Sequence, residues 1–256
     1  MRYAYLSEPV TIKTVFEDER RGEFEIGGLY SGYGLTIGNA LRRVLLSSIP
    51  GFAITQFRIK GVDHEFSTVP GVLENVVDLS LNLKQIRLKM TTDEPQTIML
   101  KVKGEKTVTV GDIEVPGQVE ILNPDLHIAT LTEKSSVLEI EMVVEKGLGY
   151  WTVDSRKGEK GTIGLIQIDA LFSPVITVSF DVENMRVGER ADYNRLKVII
   201  ETDGSVAPSA VLHKASKILV DHFSKISEMA SDKEEEPAVA AVEDETEEKK
   251  KKKSKK

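Results

Sequence analysis

The sequence predicts an α+β fold with two domains, one built from both ends of the chain and the other inserted between them. A β-hairpin pattern followed by a helix pattern stands at the start, and a similar succession recurs near the end. The part between them is mostly strand-like. We therefore predict one domain from residues 1–50 and 172–230, with an antiparallel sheet and two helices. A mostly β, mixed α/β domain comprises residues 51–171, and residues 231–256 form a charged tail.

The first helix pattern follows a hairpin and a glycine-rich segment. Val10 to Lys13 and Glu23 to Ile26 each alternate in period two around a charged turn, as paired strands do. We interpret the next segment as a loop because it contains three glycines: Gly32, Gly34 and Gly38. A helix is then predicted from about Thr36, a suitable cap residue, to Ser48, before Pro50 and Gly51 stop it.

The middle of the chain combines several strand patterns with one helix. The strands include residues 57–59, 97–100, 119–121 and 137–142. The helix is indicated by apolar residues at steps of three and four: Val72, Val76, Leu79, Leu83 and Ile86. We expect this single apolar stripe to cover one face of a sheet.

The last part of the chain predicts two strands and a long helix. Apolar and polar residues alternate in a half-buried antiparallel strand, whose apolar members are Ile176, Val178, Phe180 and Val182. Leu196, Val198 and Ile200 repeat the pattern. A helix then runs from Pro208 to about Ala230, and its apolar stripe contains Leu212, Ala215, Leu219, Phe223 and Ile226.

Composition excludes several classes of protein. The 256 residues, 40% of them hydrophobic, are enough for two modest cores. The absence of cysteine excludes disulfides, thiolate zinc sites and cysteine nucleophiles. No apolar run approaches the roughly 20 residues that span a bilayer, and the start lacks a signal-peptide core, so we expect a cytoplasmic protein. A net charge of −7 argues against nucleic-acid binding through the phosphate backbone as the main role.

The first predicted helix carries apolar residues on more than one side. At about 100° per residue, one broad face can join the core; its members are Ile37, Ala40, Leu41, Val44 and Leu45. Leu46 falls on the opposite side, flanked by Arg42 and Arg43. An outward leucine between two arginines indicates a surface for a partner, although each of these residues is also ordinary on a solvated helix.

No pattern in the sequence indicates a catalytic centre. The glycines before the first helix have the wrong spacing for a dinucleotide-binding loop, and no parallel βαβ unit surrounds them. Four histidines occur without metal-ligand spacing: His64, His127, His213 and His222. RNA polymerisation needs acidic residues that hold two metal ions, and the chain has no Asp-x-Asp-x-Asp cluster. We therefore expect no catalytic residue, metal or cofactor in this chain.

Several short segments together resemble the amino-terminal domain of bacterial RNA polymerase alpha subunits. The first matching segment is Leu41 to Gly51. The other matching segments follow in the family's order: His64 to Thr68, Asn123 to Ile128, Asp169 to Val175, Arg190 to Asp192 and Thr202 to Ser205. The resemblance covers about residues 1–230 and implies a dimerisation domain made from both ends of the chain, with an inserted domain between them.

The resemblance implies a non-catalytic assembly scaffold of DNA-directed RNA polymerase. Two copies pair first, then one binds the beta subunit and the other binds beta-prime, so the catalytic magnesium is expected in those partners. The residues implied for beta binding are Asn39, Arg42, Arg43, Leu46, Ser47, His64, Glu65 and Phe66. Those implied for beta-prime binding are Ser173, Pro174, Val175, Arg190, Asp192 and Lys197. Those implied for the homodimer interface are Tyr33, Ile37, Val44, Leu212, Leu219 and Phe223.

The end of the chain departs from the family's pattern. Full-length members usually continue into a second small domain that binds DNA and activators, and we expect that domain to be absent here. The charge blocks of residues 231–256 predict disorder, with Lys249 to Lys256 either a solvated end or a weak, salt-sensitive DNA attachment. The alternative function is a free-standing interaction module or a small-ligand enzyme on this fold. Recovery of two very large polypeptides from cell extract would favour the polymerase scaffold.

Overall fold

The computed structural model describes residues 10–156 and 164–231, which contain fifteen strands and three helices. The first elements are β1 (Thr11–Glu17), β2 (Arg21–Leu29), α1 (Tyr33–Ser47), β3 (Pro50–Ile59), α2 (Val76–Lys84), β4 (Leu88–Met90), β5 (Gln96–Lys103), β6 (Lys106–Thr109) and β7 (Ile113–Glu114). The others are β8 (Val119–Ile121), β9 (His127–Leu131), β10 (Val137–Leu148), β11 (Tyr150–Trp151), β12 (Ile166–Gln167), β13 (Ala170–Leu171), β14 (Val175–Val187), β15 (Arg190–Thr202) and α3 (Pro208–Ser231). The α+β class is confirmed.

The first sheet joins strands from both ends of the described chain in the antiparallel order β1-β2-β15-β14. In its two central strands Phe24 pairs with Val198 and Ile26 with Leu196, and all four side chains are buried. Residues opposite each other across two strands share a face of the sheet, so these pairs form one apolar face. The initial hairpin is confirmed, while the domain boundaries at residues 50, 171 and 230 stay a prediction.

The second sheet, β12-β3-β10-β5-β7, carries the larger core. On the inner side of α2, Val76, Leu79 and Leu83 are all fully buried, as the apolar stripe predicted. The helix is shorter than that stripe, because the Asn75 side chain caps it by accepting a bond from the Asp78 amide at 2.8 Å. Val72 lies outside the helix in an isolated bridge with Leu131.

Helix α1 begins earlier than predicted, and the prediction that Gly34 lies in a loop before the helix is wrong. The helix starts at Tyr33, after Gly32 in the left-handed region (φ +85°), so Thr36 is not its cap. Glycine inside a helix costs about 1 kcal/mol relative to alanine, which is why the pattern favoured a loop. Only the packing described next makes these glycines suitable for a helix.

The two helical glycines allow α1 to lie close against β14. A Cβ atom at Gly34 would stand 2.8 Å from Val182 Cγ1, and one at Gly38 would stand 2.7 Å from the Phe180 ring. Both distances are shorter than van der Waals contact permits. The missing side chains therefore let the helix backbone approach the sheet, with Leu41 and Leu45 buried on the same side.

Replacing Gly38 by alanine is expected to destabilise the protein by about 1–3 kcal/mol, because the new methyl group overlaps the Phe180 ring. This loss exceeds the gain of about 1 kcal/mol in helix propensity. The measurement is urea denaturation. Gly117→Ala is the matched control, since its Cβ would meet nothing within 4 Å, and we expect a change within about 0.5 kcal/mol. A Gly38→Ala variant as stable as the parent would contradict the close packing.

The alternation predicted for β14 fails at one residue. Val178, Phe180 and Val182 are half-buried, but Ile176 is 58% exposed. The register with β15 shifts between Val175 and Thr177, which places Ile176 in an irregularity of the ladder. In β15 the predicted Leu196, Val198 and Ile200 are buried, so that prediction is confirmed.

Helix α3 starts without a capping oxygen at Ala207, and a distant residue supplies one. The amide of Ser209 donates to Glu17 Oε1 on β1 at 2.9 Å. A carboxylate at a helix start also interacts favourably with the helix dipole. The chain separates into residues 1–218 and residues 219–256, and the described part of the second unit is the end of α3.

The sequence also led to predictions about the charged tail and about membrane-spanning segments. The charged tail from residue 232 onward, including Lys249 to Lys256, lies outside the described residues. Within the part that the structure describes, none of the helices combines the length and apolar character needed to cross a membrane.

Candidate functional site

The outward side of α1 presents an arginine beside a leucine, as the helical spacing predicted. Arg42 and Arg43 are exposed, and Leu46 is 41% exposed, although it is a large apolar side chain. Leu41 and Leu45, which point inward, are buried. One helix therefore places core residues and a mixed apolar and cationic surface on opposite sides.

The two arginines differ in their surroundings. The Arg42 guanidinium carbon lies 5.6 Å from the centre of the Phe180 ring, and Nη2 donates to Asn39 Oδ1 at 3.3 Å. Arg43 has no hydrogen-bond or ion-pair partner for its guanidinium among residues 10–156 and 164–231. Because a guanidinium has five donors, Arg43 is the one of the two whose binding capacity is unused within the described chain.

The polar neighbours on α1 are partly occupied by the helix itself. Asn39 Nδ2 donates to the carbonyl of Leu35 at 3.1 Å, and Ser47 Oγ donates to the carbonyl of Arg43 at 2.8 Å. Each side chain still has a further lone pair or hydrogen to offer. Within residues 10–156 and 164–231, the surface around Arg43 therefore combines an unpaired cation, one apolar side chain and two short polar groups.

The loop predicted to extend this surface is also exposed. Phe66 is 78% exposed, and His64, Glu65 and Thr68 are exposed beside it. The Ser67 hydroxyl lies 3.1 Å from His64 Nδ1, and the Ser67 amide donates to the His64 carbonyl at 3.3 Å, so the loop forms a tight turn. Phe66 therefore adds apolar area to the exposed surface of this loop.

Glu65 and Phe66 line a cleft of about 280 Å³ whose opposite wall is made by α2 and residues 166–169. Its apolar lining includes Val77 and Leu81, which are exposed and stand four residues apart on the outer side of α2. Sequence reasoning missed these two residues. Their spacing opposite the buried stripe was a signal that could have identified them.

A polar cluster forms one end of this cleft. Lys84 Nζ lies 3.5 Å from Asp169 Oδ2 and 3.1 Å from the Tyr150 hydroxyl oxygen, and that hydroxyl donates to Asp169 at 2.6 Å. The hydrogen bonds from Tyr150 and from the Val153 amide lower the pKa of Asp169. The aspartate is therefore held ionised and paired at neutral pH, as a structural group is.

Three of the residues predicted to bind beta-prime are buried in the single chain: Ser173, Pro174 and Val175. Their part in binding stays a prediction. The Pro174 carbonyl accepts a bond from the Asp203 amide at 2.9 Å, which holds this segment against the chain after β15. The exposed neighbours in β14 are Ile176 and Thr177.

The other three residues of that prediction make ion pairs within the chain. Arg190 donates to both oxygens of Asp192, at 3.1 and 2.7 Å, and these bonds lower the pKa of Asp192. Lys197 Nζ lies 2.6 Å from Glu183 Oε1, which raises the pKa of Lys197. Arg190 and Asp192 remain exposed, whereas Lys197 is half-buried.

Tyrosines surround Arg190, and sequence reasoning missed this arrangement. The guanidinium carbon lies 5.2 Å from the Tyr30 ring centre and 5.5 Å from that of Tyr193. Tyr30 also packs edge-to-face with Tyr33 and with Tyr193. The end of the β14–β15 hairpin is thereby tied to the start of α1.

Apolar side chains of α1 and α3 remain uncovered in the single chain. Tyr33 and Phe223 are exposed, with Phe223 at 62%, and four other residues predicted for the homodimer are half-buried: Ile37, Val44, Leu212 and Leu219. In contrast, Val211 and Ala215 of α3 are fully buried. Leu35, Val220 and Ile226 are further exposed apolar residues that the prediction did not include.

The described histidines, aspartates and glutamates do not assemble into a metal site. In the described ranges, no group of three or more His, Asp or Glu side chains is arranged to hold a metal ion. His127 pairs with Glu74 at 2.9 Å, and His64 bonds within its loop, while His213 and His222 are exposed on α3.

Comparison with known proteins identifies the family. Residues 57–173 match the RNA polymerase Rpb3/RpoA insert domain. The chain is 48% identical over 219 residues to the DNA-directed RNA polymerase subunit alpha of Moorella thermoacetica, which covers 84% of this chain and 70% of that protein. Identity to the same subunit of Symbiobacterium thermophilum is 46% over 230 residues, which covers 89% of this chain and 73% of the relative.

A third relative gives the same result. The DNA-directed RNA polymerase subunit alpha of Carboxydothermus hydrogenoformans is 44% identical over 230 residues, or 89% of this chain and 73% of that protein. The similarity therefore includes α1, both sheets and most of α3 rather than one short motif. The chain belongs to the family of bacterial DNA-directed RNA polymerase alpha subunits, and its role is in DNA-directed RNA polymerase.

Proposed function

We propose that this chain is a non-catalytic assembly subunit, which homodimerises and then recruits the beta and beta-prime subunits. The observation that carries the proposal is the exposed Arg43, which has no partner in the described part of the chain and lies next to the outward Leu46 on α1. The described residues leave this cation and this apolar side chain unused. Both are therefore available to bind a protein partner. Membership of the polymerase alpha family supports the same role.

The proposed role of the homodimer is to bring the large subunits together, and it takes no part in the reaction itself. When two copies are already paired, the second large subunit meets a bound partner at high effective concentration, so a three-body encounter becomes two successive two-body steps. The exposed apolar residues Tyr33 and Phe223 support a seam made by α1 and α3. A two-fold pair presents two equivalent copies of each surface, and the choice of partner makes them different.

The proposed beta surface consists of the α1 residues around Arg43 and the loop His64–Thr68. The planar guanidinium can donate two parallel bonds to a carboxylate, or several bonds to carbonyl oxygens, across the interface. Leu46 and Phe66 supply apolar area beside it. We place the beta-prime surface at the exposed Ile176 and Thr177 and at the hairpin end with Arg190 and Asp192.

RNA synthesis itself is assigned to the partner subunits. Nucleotide transfer requires metal ions that activate the attacking oxygen and stabilise the leaving group. The absence of a three-residue metal-ligating group from residues 10–156 and 164–231 supports the proposal that the magnesium is held elsewhere in the complex. This chain then contributes by holding the two large subunits together.

Stepwise reconstitution tests the proposed function. The tagged chain alone should sediment as a dimer, should retain purified beta, and should retain beta-prime once beta is bound. The tagged dimer without the large subunits should not extend RNA. Failure to retain either large subunit, or RNA synthesis by the dimer alone, would contradict the proposal.

A further inference from the structure

One carboxylate ties the segment after the His64–Thr68 loop to strand β9. Glu74 Oε2 accepts from the Thr130 amide at 2.7 Å, and Oε1 accepts from the Thr130 hydroxyl at 3.2 Å. Oε1 also lies 2.9 Å from His127 Nε2, and because an ionised carboxylate can only accept, the imidazole nitrogen is the donor. The Glu74 side chain is only 14% exposed, so these bonds are well shielded from water.

Burial acts to raise the pKa of Glu74, but the bonds from the Thr130 amide and His127 outweigh it and lower that pKa. The carboxylate is therefore ionised at neutral pH and holds all three donors at once. Removal of the side chain would leave the Thr130 amide without this acceptor. Hydrogen bonds to charged groups contribute more than those between neutral groups, so this attachment is stronger than an ordinary loop contact.

Backbone bonds continue from Glu74 to the exposed loop. The next residue, Asn75, forms a bridge with Thr68, and the Val76 amide donates to the Ser67 carbonyl at 3.2 Å. Ser67 in turn bonds to His64 through its amide and lies in contact with it through its hydroxyl. A continuous series of bonds thus runs from β9 through Glu74 to the turn that presents Glu65 and Phe66.

We propose that Glu74 is a positioning residue, which together with His127 fixes the His64–Thr68 loop in the orientation that binds the beta subunit. The inference rests on the proposed function, because it concerns the same beta surface. Glu74 makes no contact with the partner in this proposal. Glu74 restricts the conformations of the loop before the partner binds. Because ordering a loop during binding weakens affinity, this restriction favours binding of the beta subunit.

Three variants test the role of Glu74 in the full chain. Glu74→Ala should weaken binding of purified beta by about tenfold or more, because three bonds to one charged group are lost. Glu74→Gln should stay within about threefold of the parent, since its amide can accept from Thr130 and donate to His127. His127→Ala should fall between the two. Homodimer mass should not change in any of them.

Asp125→Ala is the matched control, because it removes an exposed carboxylate just before β9, and beta binding should be unchanged. Hydrogen exchange at the amides of residues 64–76 provides a readout independent of the partner, and Glu74→Ala should accelerate it. Unchanged exchange in Glu74→Ala, or beta affinity equal to the parent, would overturn the proposal. Equal losses of beta affinity in Glu74→Gln and Glu74→Ala would also overturn it. Glutamine can keep the bonds to Thr130 and His127, so those bonds would then not be the reason for the loss. If the parent chain binds no beta, the proposed function fails, while the exchange rates still test the positioning.

Discussion

An Arg43→Ala variant should form the homodimer but lose the beta subunit during co-purification. Folding should be almost unaffected, because the guanidinium is exposed and has no partner within the described residues. Binding should suffer, because truncating one member of a charged pair at an interface typically costs about 2–5 kcal/mol. That cost corresponds to a rise of about 30-fold or more in Kd, enough to lose beta through a wash.

Two further variants separate the chemistry of Arg43 from its charge. Arg58→Ala removes another exposed arginine, on β3, and should retain beta fully. Arg43→Lys keeps the positive charge but loses the planar fork, so partial retention would indicate bidentate recognition. Retention of beta by Arg43→Ala at the level of the parent would refute the role assigned to this side chain.

A Phe223→Asp variant should convert the homodimer into monomers. Phe223 is one of the apolar side chains of α3 that the proposed seam covers, and it is 62% exposed in the single chain. Its replacement removes an aromatic anchor, a change that often costs at least about 2 kcal/mol at the centre of an interface. It also places a charge in an apolar contact, where it has no partner. Analytical ultracentrifugation should report one chain of 28.4 kDa rather than a pair.

The control for this variant uses the same helix. Lys225→Asp introduces a carboxylate two residues away, about 200° around the helix axis, and should leave the dimer intact. Circular dichroism should show that both variants keep their helix content, because both positions are exposed. A dimer of Phe223→Asp that persists on dilution would place the seam elsewhere.

Local periodicity was sufficient for much of the candidate site. The spacing of α1 correctly separated the buried Leu41 and Leu45 from the outward Arg43 and Leu46, because the angle between helical residues depends only on their separation along the chain. It did not distinguish Arg42 from Arg43. That difference comes from the Phe180 ring, which belongs to a strand far away in the sequence.

Residues that matched the family by sequence were harder to assign without coordinates. Ser173, Pro174 and Val175 belong to a matching segment, yet they are buried and support the chain after β15. A match between sequences records that a residue type is required, but structural support and partner contact can both require it. In the single chain Ser173, Pro174 and Val175 are buried, whereas Ile176 and Thr177 lie on the surface.

The sequence by itself determined the α+β class, the alternating burial along β2 and β15 and the inner faces of α1 and α2, because each depends on the spacing of neighbouring residues. Only the tertiary structure decided that Gly34 is helical, that Glu17 caps α3, and that Glu74 bonds to Thr130 and His127 on β9. These features join residues that are distant along the chain. A periodic pattern carries no information about such contacts, since they arise only when the sheets and helices pack together.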